Sequence, residues 1–317
     1  MTDASAAGTS GPRAALGAGA FASASNATTA LVAVPVANVW SEPGAVRRVD
    51  SPALAPRPDL AIWLAAMTHD DRLGLQGRLE TQALLGEPVV VVGERAGWAE
   101  VRLPKQPSRK DAVGYPGWVR SEHLVLAPWL VAPKETVSRL GVLARVLPGA
   151  PLVLTYGVRL PLEGRRDGTA LLRSPKGELL EVPEAALAPV VASGAALLGS
   201  ARAFSGLPYL WGGLSGYGVD CSGLAHLVHR CAGIVIPRDA HDQAAAGTPV
   251  AAKEAVAGDL LFFSRPRDEP HHVAFSAGPG KMFHSPRTGR AVGEASLAAE
   301  PYRSELGATA RRYAMSR

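Results

Sequence analysis

Residues 206–228 read GLPYLWGGLSGYGVDCSGLAHLV, and the reading of this stretch organises everything around it. Beyond Asp220, Leu224, Leu227, Val228 and Cys231 recur at i, i+3, i+4 and i+7, the stripe of a helix with one apolar face. Aspartate is a favoured capping residue, so Asp220 is expected at the N-cap and Cys221 in the first turn. Unpaired backbone N–H groups and the helix dipole favour an anion there, which predicts a thiol pKa below its reference of about 8.5. A buried, unreactive cysteine is the plainer alternative for Cys221. Cys231, on the apolar stripe, reads as core.

A thiolate nucleophile needs a base, and the base needs a partner that holds its tautomer. Downstream, His271, His272 and His284 all lie near β segments. In HHVAFSAG the strand alternation puts His272, Ala274 and Ser276 on one face and Val273 and Phe275 on the other. His284 ends the next strand, after the turn Gly278–Pro279–Gly280. Paired strands lie about 4.8 Å apart, so two imidazoles can meet across them. Exposed sheet-edge histidines are the alternative. His69, His123, His226, His229 and His241 read as structural.

The remaining sequence bounds the molecule. Its 317 residues suggest about two domains, and 47% apolar with 19% charged residues excludes wholesale disorder. The 34 glycines, 26 prolines and few aromatics favour short strands and many turns. Two cysteines exclude a disulfide scaffold. Ten residues apart on one helix they would stand about 15 Å from each other, beyond the roughly 7 Å a bridge tolerates. A net charge of +5, spread out, is no nucleic-acid footprint, and no run approaches the ~18–20 apolar residues of a membrane span. Residues 1–28 are rich in Ala, Gly, Ser and Thr and lack the apolar core of a secretory signal. They read as a floppy tail, and a cytoplasmic protein is expected.

Residues 29–126 read as a first β unit with one inserted amphipathic helix in DLAIWLAAMTHDDRLGL, where Leu60, Trp63, Leu64 and Met67 form the apolar face. In TALVAVPVANVW, Pro35 limits the strand, and GEPVVVVGERAGWAEVRL reads as strand, turn, strand. Residues 127–190 repeat the pattern, with a tight turn at Pro175–Lys176–Gly177, and suit a small barrel. From 191 the chain changes to an α+β unit running to 317.

The run GLPYLWGGLSGYGVDCSGLAHLV, with GDLLFF, HHVAFSAG and MFHS, resembles the NlpC-type papain-like cysteine peptidases of bacterial cell-wall peptides over about 194–317. The resemblance implies an α+β fold in which a papain-like catalytic domain follows two small SH3-like β-barrels. It implies Cys221 as nucleophile, His272 as general base, His284 in the orienting position and Tyr209 at the oxyanion. Trp211 would wall the cleft, and Asp220, Ser222 and Asp239 would help to bind substrate. Ala240 departs from the pattern, standing where many relatives carry serine.

The front half, through RLETQALLGEPV and GYPGW, is similar to intracellular γ-D-glutamyl-L-diamino acid endopeptidases, whose first SH3-like domain overhangs the cleft and recognises a free N-terminal L-Ala. That implies Glu80 and Tyr115 as recognition groups for the amine, with Glu87 an alternative to Glu80. A partly buried ammonium needs such a carboxylate and further acceptors. The implied substrate is the murein peptide L-Ala-γ-D-Glu-diamino acid, cut by a monomer with no metal, cofactor, nucleic acid or membrane partner. No Cys-x-x-Cys or His-Glu-x-x-His spacing suggests zinc. The rival readings are an exported peptidoglycan endopeptidase acting on intact wall, which predicts a signal peptide and an open cleft, and a non-catalytic wall-binding protein, which predicts loss of Cys221 or the histidines.

Overall fold

Pro35 divides the apolar run at 28–40 into two strands, Thr28–Val32 and Val36–Trp40, in a computed structural model that describes residues 27–126, 134–137, 139, 141–147, 149–187 and 191–313. All but the end of the expected tail at 1–28 lies outside these residues. The two strands join Leu79–Leu84, Pro88–Arg95, Trp98–Leu103, Tyr115–Arg120 and Leu124–Val125 in an antiparallel sheet with Leu79–Leu84 at one edge. GEPVVVVGERAGWAEVRL is strand, turn, strand as expected, with a slip in register between Val91 and Gly93.

The single helix expected over 59–75 is two, Leu60–Ala66 and His69–Leu73. Asp59 caps the first through the Ile62 N–H, but Thr68 then caps the second. Its hydroxyl accepts from the Asp71 N–H, and Asp71 accepts from the Thr68 N–H in a closed capping box. That reciprocal pair outcompetes continuation of the first helix. The apolar face still docks as predicted through Leu60, Trp63 and Met67. Trp63 packs edge-on against Trp40 at 6.5 Å and donates its indole N–H to the buried Asp50 at 2.9 Å.

A second antiparallel sheet runs, in order, Leu152–Thr155, Gly141–Leu147, Leu179–Pro183, Thr169–Arg173, Arg159–Arg166 and Lys134–Thr136. The turn at 174–177 is closed by Gly177 N–H to Ser174 O. Gly157 lets this unit approach the next. At φ +86° a Cβ there would lie 2.4 Å from Leu227 Cδ1.

The remaining unit packs helices Gly194–Arg202, Cys221–Cys231 and Ala240–Ala245 with a sheet ordered Thr248–Ala251, Thr309–Arg312, Leu260–Phe263, His272–Ser276, Lys281–His284 and Gly293–Ser296. The helix Cys221–Cys231 is buried on every side from Ser222 onward, beyond the single stripe its periodicity suggests. Leu227 meets the second sheet at Gly157, His229 stacks on Phe275 at 5.7 Å, and Arg230 pairs with Glu87 of the first unit at 2.8 Å. Cys221 and Cys231 are both free. Among the described residues no helix is long and apolar enough to cross a membrane.

The edge strand Leu79–Leu84 seats the first unit on this last one. Leu79 O accepts from Trp211 Nε1 at 3.0 Å, Thr81 Oγ1 from Arg238 Nε at 2.8 Å, and Gln82 Oε1 from the Leu214 N–H at 2.9 Å. Glu80, within the same strand, is thereby held at the mouth of a cleft and not on a helix.

Candidate active site

The Asp220 carboxylate caps its helix as the sequence predicts, accepting from the Gly223 N–H at 2.6 Å and Ser222 Oγ at 3.2 Å. Its further partner is Arg238, whose Nη1 and Nη2 donate to Oδ1 and Oδ2 at 2.9 and 2.7 Å. Arg238 also donates to Ser222 Oγ at 3.0 Å. With four donors on one carboxylate, Asp220 and Ser222 are committed to the turn that presents Cys221. Gly223 is required in that turn because a Cβ would lie 2.2 Å from Gly213 O. Nothing in the spacing pointed to Arg238, which lies 18 residues on and is buried.

Cys221 is the first residue of the helix and is partly exposed on the cleft floor. The backbone N–H groups of Val273 and Ser222 favour the thiolate, yet burial, reinforced by the Asp220 charge, pushes the thiol up to about 12. The expectation of a lowered pKa is therefore corrected. Lost hydration and a neighbouring carboxylate outweigh the helix end. A thiol raised this far is neutral near pH 7, and its ionisation depends on handing the proton to a base.

The register Phe275↔Phe283 brings His272 and His284 to one side of their two strands. His272 Nε2 lies 2.8 Å from His284 Nδ1, with the rings 5.0 Å apart and nearly perpendicular. Burial, with His284 and His271 nearby, lowers the His272 pKa to about 3, and burial lowers His284 to about 4. Both rings are neutral, so one donates and the other accepts. Because His284 occupies Nε2, Nδ1 is the nitrogen His272 has left for a reacting group. His271, by contrast, is more exposed and faces Glu305 at 3.4 Å. Tyr302, which sequence reasoning missed, covers the pair, 5.1 Å from the His284 ring and 6.0 Å from that of His272.

Tyr209 and Trp211 line the cleft beside Cys221. Burial, with the Asp220 carboxylate nearby, raises the Tyr209 pKa well above 10, so it remains a neutral hydroxyl donor. Trp211 is half-buried, its indole fixed on Leu79 O.

In the lining of the same 550 Å³ cleft, Tyr115, Glu80 and Asp239 converge. Tyr115 Oη lies 3.0 and 3.2 Å from the Asp239 oxygens and 3.2 Å from Glu80 Oε2. Burial raises the Asp239 pKa against the pull of Arg238 and Lys110. Lys110, also missed from sequence, reaches into this cluster. Its Nζ bonds the Glu80 carboxylate, donates to Tyr115 Oη at 2.7 Å and lies 4.4 Å from the Tyr115 ring centre. Glu87 belongs elsewhere: it is buried and holds the Leu84 N–H, Gln106 Nε2 and Arg230 Nη1 at 2.8–3.1 Å.

Among the described residues, Asp239, His241 and Asp242 bring possible metal donors within 4.8 Å of one another. Asp239 is engaged by Tyr115, however, and Asp242 accepts from the Arg109 N–H at 3.0 Å. Ala240, on the same short helix, offers no hydroxyl.

Cys221, His272 and His284 line one cavity, and a thiol beside a pair of hydrogen-bonded imidazoles is the side-chain set of papain-like cysteine peptidases. The chain belongs to the NlpC/P60 family of these enzymes. Residues 206–311 match that family, and residues 74–124 match the bacterial dipeptidyl-peptidase Sh3 domain. The chain is 37% identical over 284 residues to a gamma-D-glutamyl-L-lysine dipeptidyl-peptidase of Bacillus subtilis, covering 87% of this chain and 96% of the other. A Bacillus cereus protein of the same name is 33% identical over 309 residues, 90% of each chain. The crystal structure of an NlpC/P60 family protein from Bacillus cereus superposes with a TM-score of 0.88 at 32% identity, over 91% of this chain and all of the other.

Proposed function

We propose that this protein hydrolyses the γ-D-glutamyl–diamino acid bond of murein peptides bearing a free N-terminal L-Ala, in the recycling of cell-wall peptides in the cytoplasm. The observation that carries the reading is the Glu80–Tyr115–Asp239 cluster lining the same cleft as Cys221. Two carboxylates and a phenol suit an ammonium, and an ammonium held there makes the enzyme count from it. We take residues 29–126 and 127–190 as two SH3-like units preceding a peptidase unit at 191–317, acting as a monomer.

In this mechanism the Cys221 proton passes to His272 Nδ1 as the sulfur attacks the γ-carbonyl carbon. The imidazolium keeps its Nε2–H on His284. The Tyr209 hydroxyl and a backbone N–H steady the oxyanion. Collapse breaks the C–N bond, and His272 gives its proton to the leaving α-amine of the diamino acid. His272 then takes a proton from water, which attacks the thioester and frees L-Ala-γ-D-Glu with Cys221 restored. Asp220 and Ser222 act by holding the nucleophile's turn, and Trp211 walls the cleft.

The test is cleavage of L-Ala-γ-D-Glu-L-Lys and its meso-diaminopimelate counterpart beside their N-acetylated twins, using wild type, Cys221→Ala and Glu80→Gln. Cutting of the free-amine peptides alone, none by Cys221→Ala, and a weakened preference in Glu80→Gln are expected. Equal cutting of both twins by wild type would instead favour an enzyme of intact wall.

A further inference from the structure

Lys110 lies in the loop between the strands Trp98–Leu103 and Tyr115–Arg120, and its neighbour pins that loop to the peptidase unit. Arg109 donates from Nη1 and Nη2 to Glu269 at 2.6 Å each, and its backbone N–H bonds Asp242. The backbone that delivers Lys110 is thus anchored, while the lysine side chain itself stays 39% exposed at the mouth of the cleft.

The ammonium of Lys110 sits on the Glu80 carboxylate and the Tyr115 hydroxyl, 4.0 Å from Asp239 Oδ2. These are the groups assigned above to the substrate's amine. Three donors on a –NH3⁺ group match a Glu–Tyr–Asp cluster equally well whether the cation comes from the chain or from a peptide. We infer that Lys110 is the internal occupant of the amine subsite, and that the substrate's own ammonium must displace it. The inference rests on the amine-pocket reading and extends it.

Displacement exchanges one cation for another and leaves the carboxylates balanced. The released lysine chain moves to water with no new buried charge. A ligand without an ammonium has nothing to exchange, so it meets a filled pocket. Lys110 therefore sharpens selectivity for a free N-terminus at some cost in affinity for the correct peptide.

The experiment is steady-state hydrolysis of L-Ala-γ-D-Glu-L-Lys and its N-acetylated twin by the full chain at low ionic strength, comparing wild type, Lys110→Met and Lys110→Arg. Calorimetric titration with the product L-Ala-γ-D-Glu accompanies it. In Lys110→Met, KM and the dissociation constant should fall about fivefold, equivalent to about 1 kcal/mol at 1.4 kcal/mol per tenfold. Lys110→Arg, which keeps a cation, should show a smaller fall than Lys110→Met. Lys110→Gln serves in place of the methionine variant if that one melts early. A merely structural lysine would move KM upward or lower kcat. Unchanged or raised KM in Lys110→Met, while wild type still refuses the acetylated twin, overturns the displacement and spares the pocket. Equal cutting of both twins by wild type overturns the pocket, and the displacement with it.

Discussion

Arg238 grips both oxygens of Asp220 at 2.7 and 2.9 Å, with the two residues buried beneath the turn that presents Cys221. Breaking a buried pair from one side strands a charge, at a typical cost of about 3–5 kcal/mol. Arg238→Met should therefore lose stability of that order in urea unfolding. Asp220→Asn/Arg238→Met should lose much less than the sum of the single variants, because it strands no charge. Additive losses would show that the two side chains act independently.

His284 accepts or donates one hydrogen bond to His272 and packs against Tyr302. If its work is to hold the His272 ring, His284→Ala should lower kcat about 10- to 100-fold with KM little changed. His284→Asn, which can offer an acceptor in the same place, should recover part of the loss. An alanine variant with full kcat would remove the orienting role.

Stability should fall in acid through the buried neutral histidines. Burial lowers His229 from its ordinary 6.5 to about 4. Between those values the unfolded chain takes up a proton that the folded one refuses. Its contribution is complete above pH 6.5 and drains away as pH falls toward 4, by up to about 1.4 kcal/mol per unit and about 3 kcal/mol in all. Urea midpoints from pH 7 to 4 should show this slope, and His229→Leu should flatten it by about one proton. An unchanged slope in the variant would assign the acid loss to other groups.

Trp211 ties the segment that leads to Cys221 to the strand that bears Glu80. Trp211→Phe keeps most of the cleft wall but removes the bond to Leu79 O, a loss of about 1 kcal/mol. On the proposed function, KM for the free-amine peptide should rise about fivefold, with the fold intact by circular dichroism. A KM equal to wild type would mean that the other ties hold the strand alone.

Much of the catalytic floor was legible because its signals are local. A capping aspartate, an i, i+3, i+4, i+7 stripe and two strand-borne histidines are each written within a few residues, and Cys221, His272 and His284 line one cavity with the two rings in contact. Where two local signals competed, periodicity lost, as at Thr68, whose capping box ends one helix and starts another. Arg238, Lys110 and Tyr302 were invisible because their partners are distant in sequence and nothing periodic marks them. The thiol was misjudged for a related reason. The helix end is local, whereas the burial that overrides it belongs to the assembled cleft.

Glu80 and Cys221 stand on different units, joined through Trp211 on Leu79, Arg238 on Thr81 and Leu214 on Gln82. The span from carboxylate to sulfur is thus a dimension of a joint and of neither part alone. On the proposed function, the chain carries its ruler in the seam, and reseating one unit by a few ångströms should change the length of the fragment released, with every residue of the cleft left as it is.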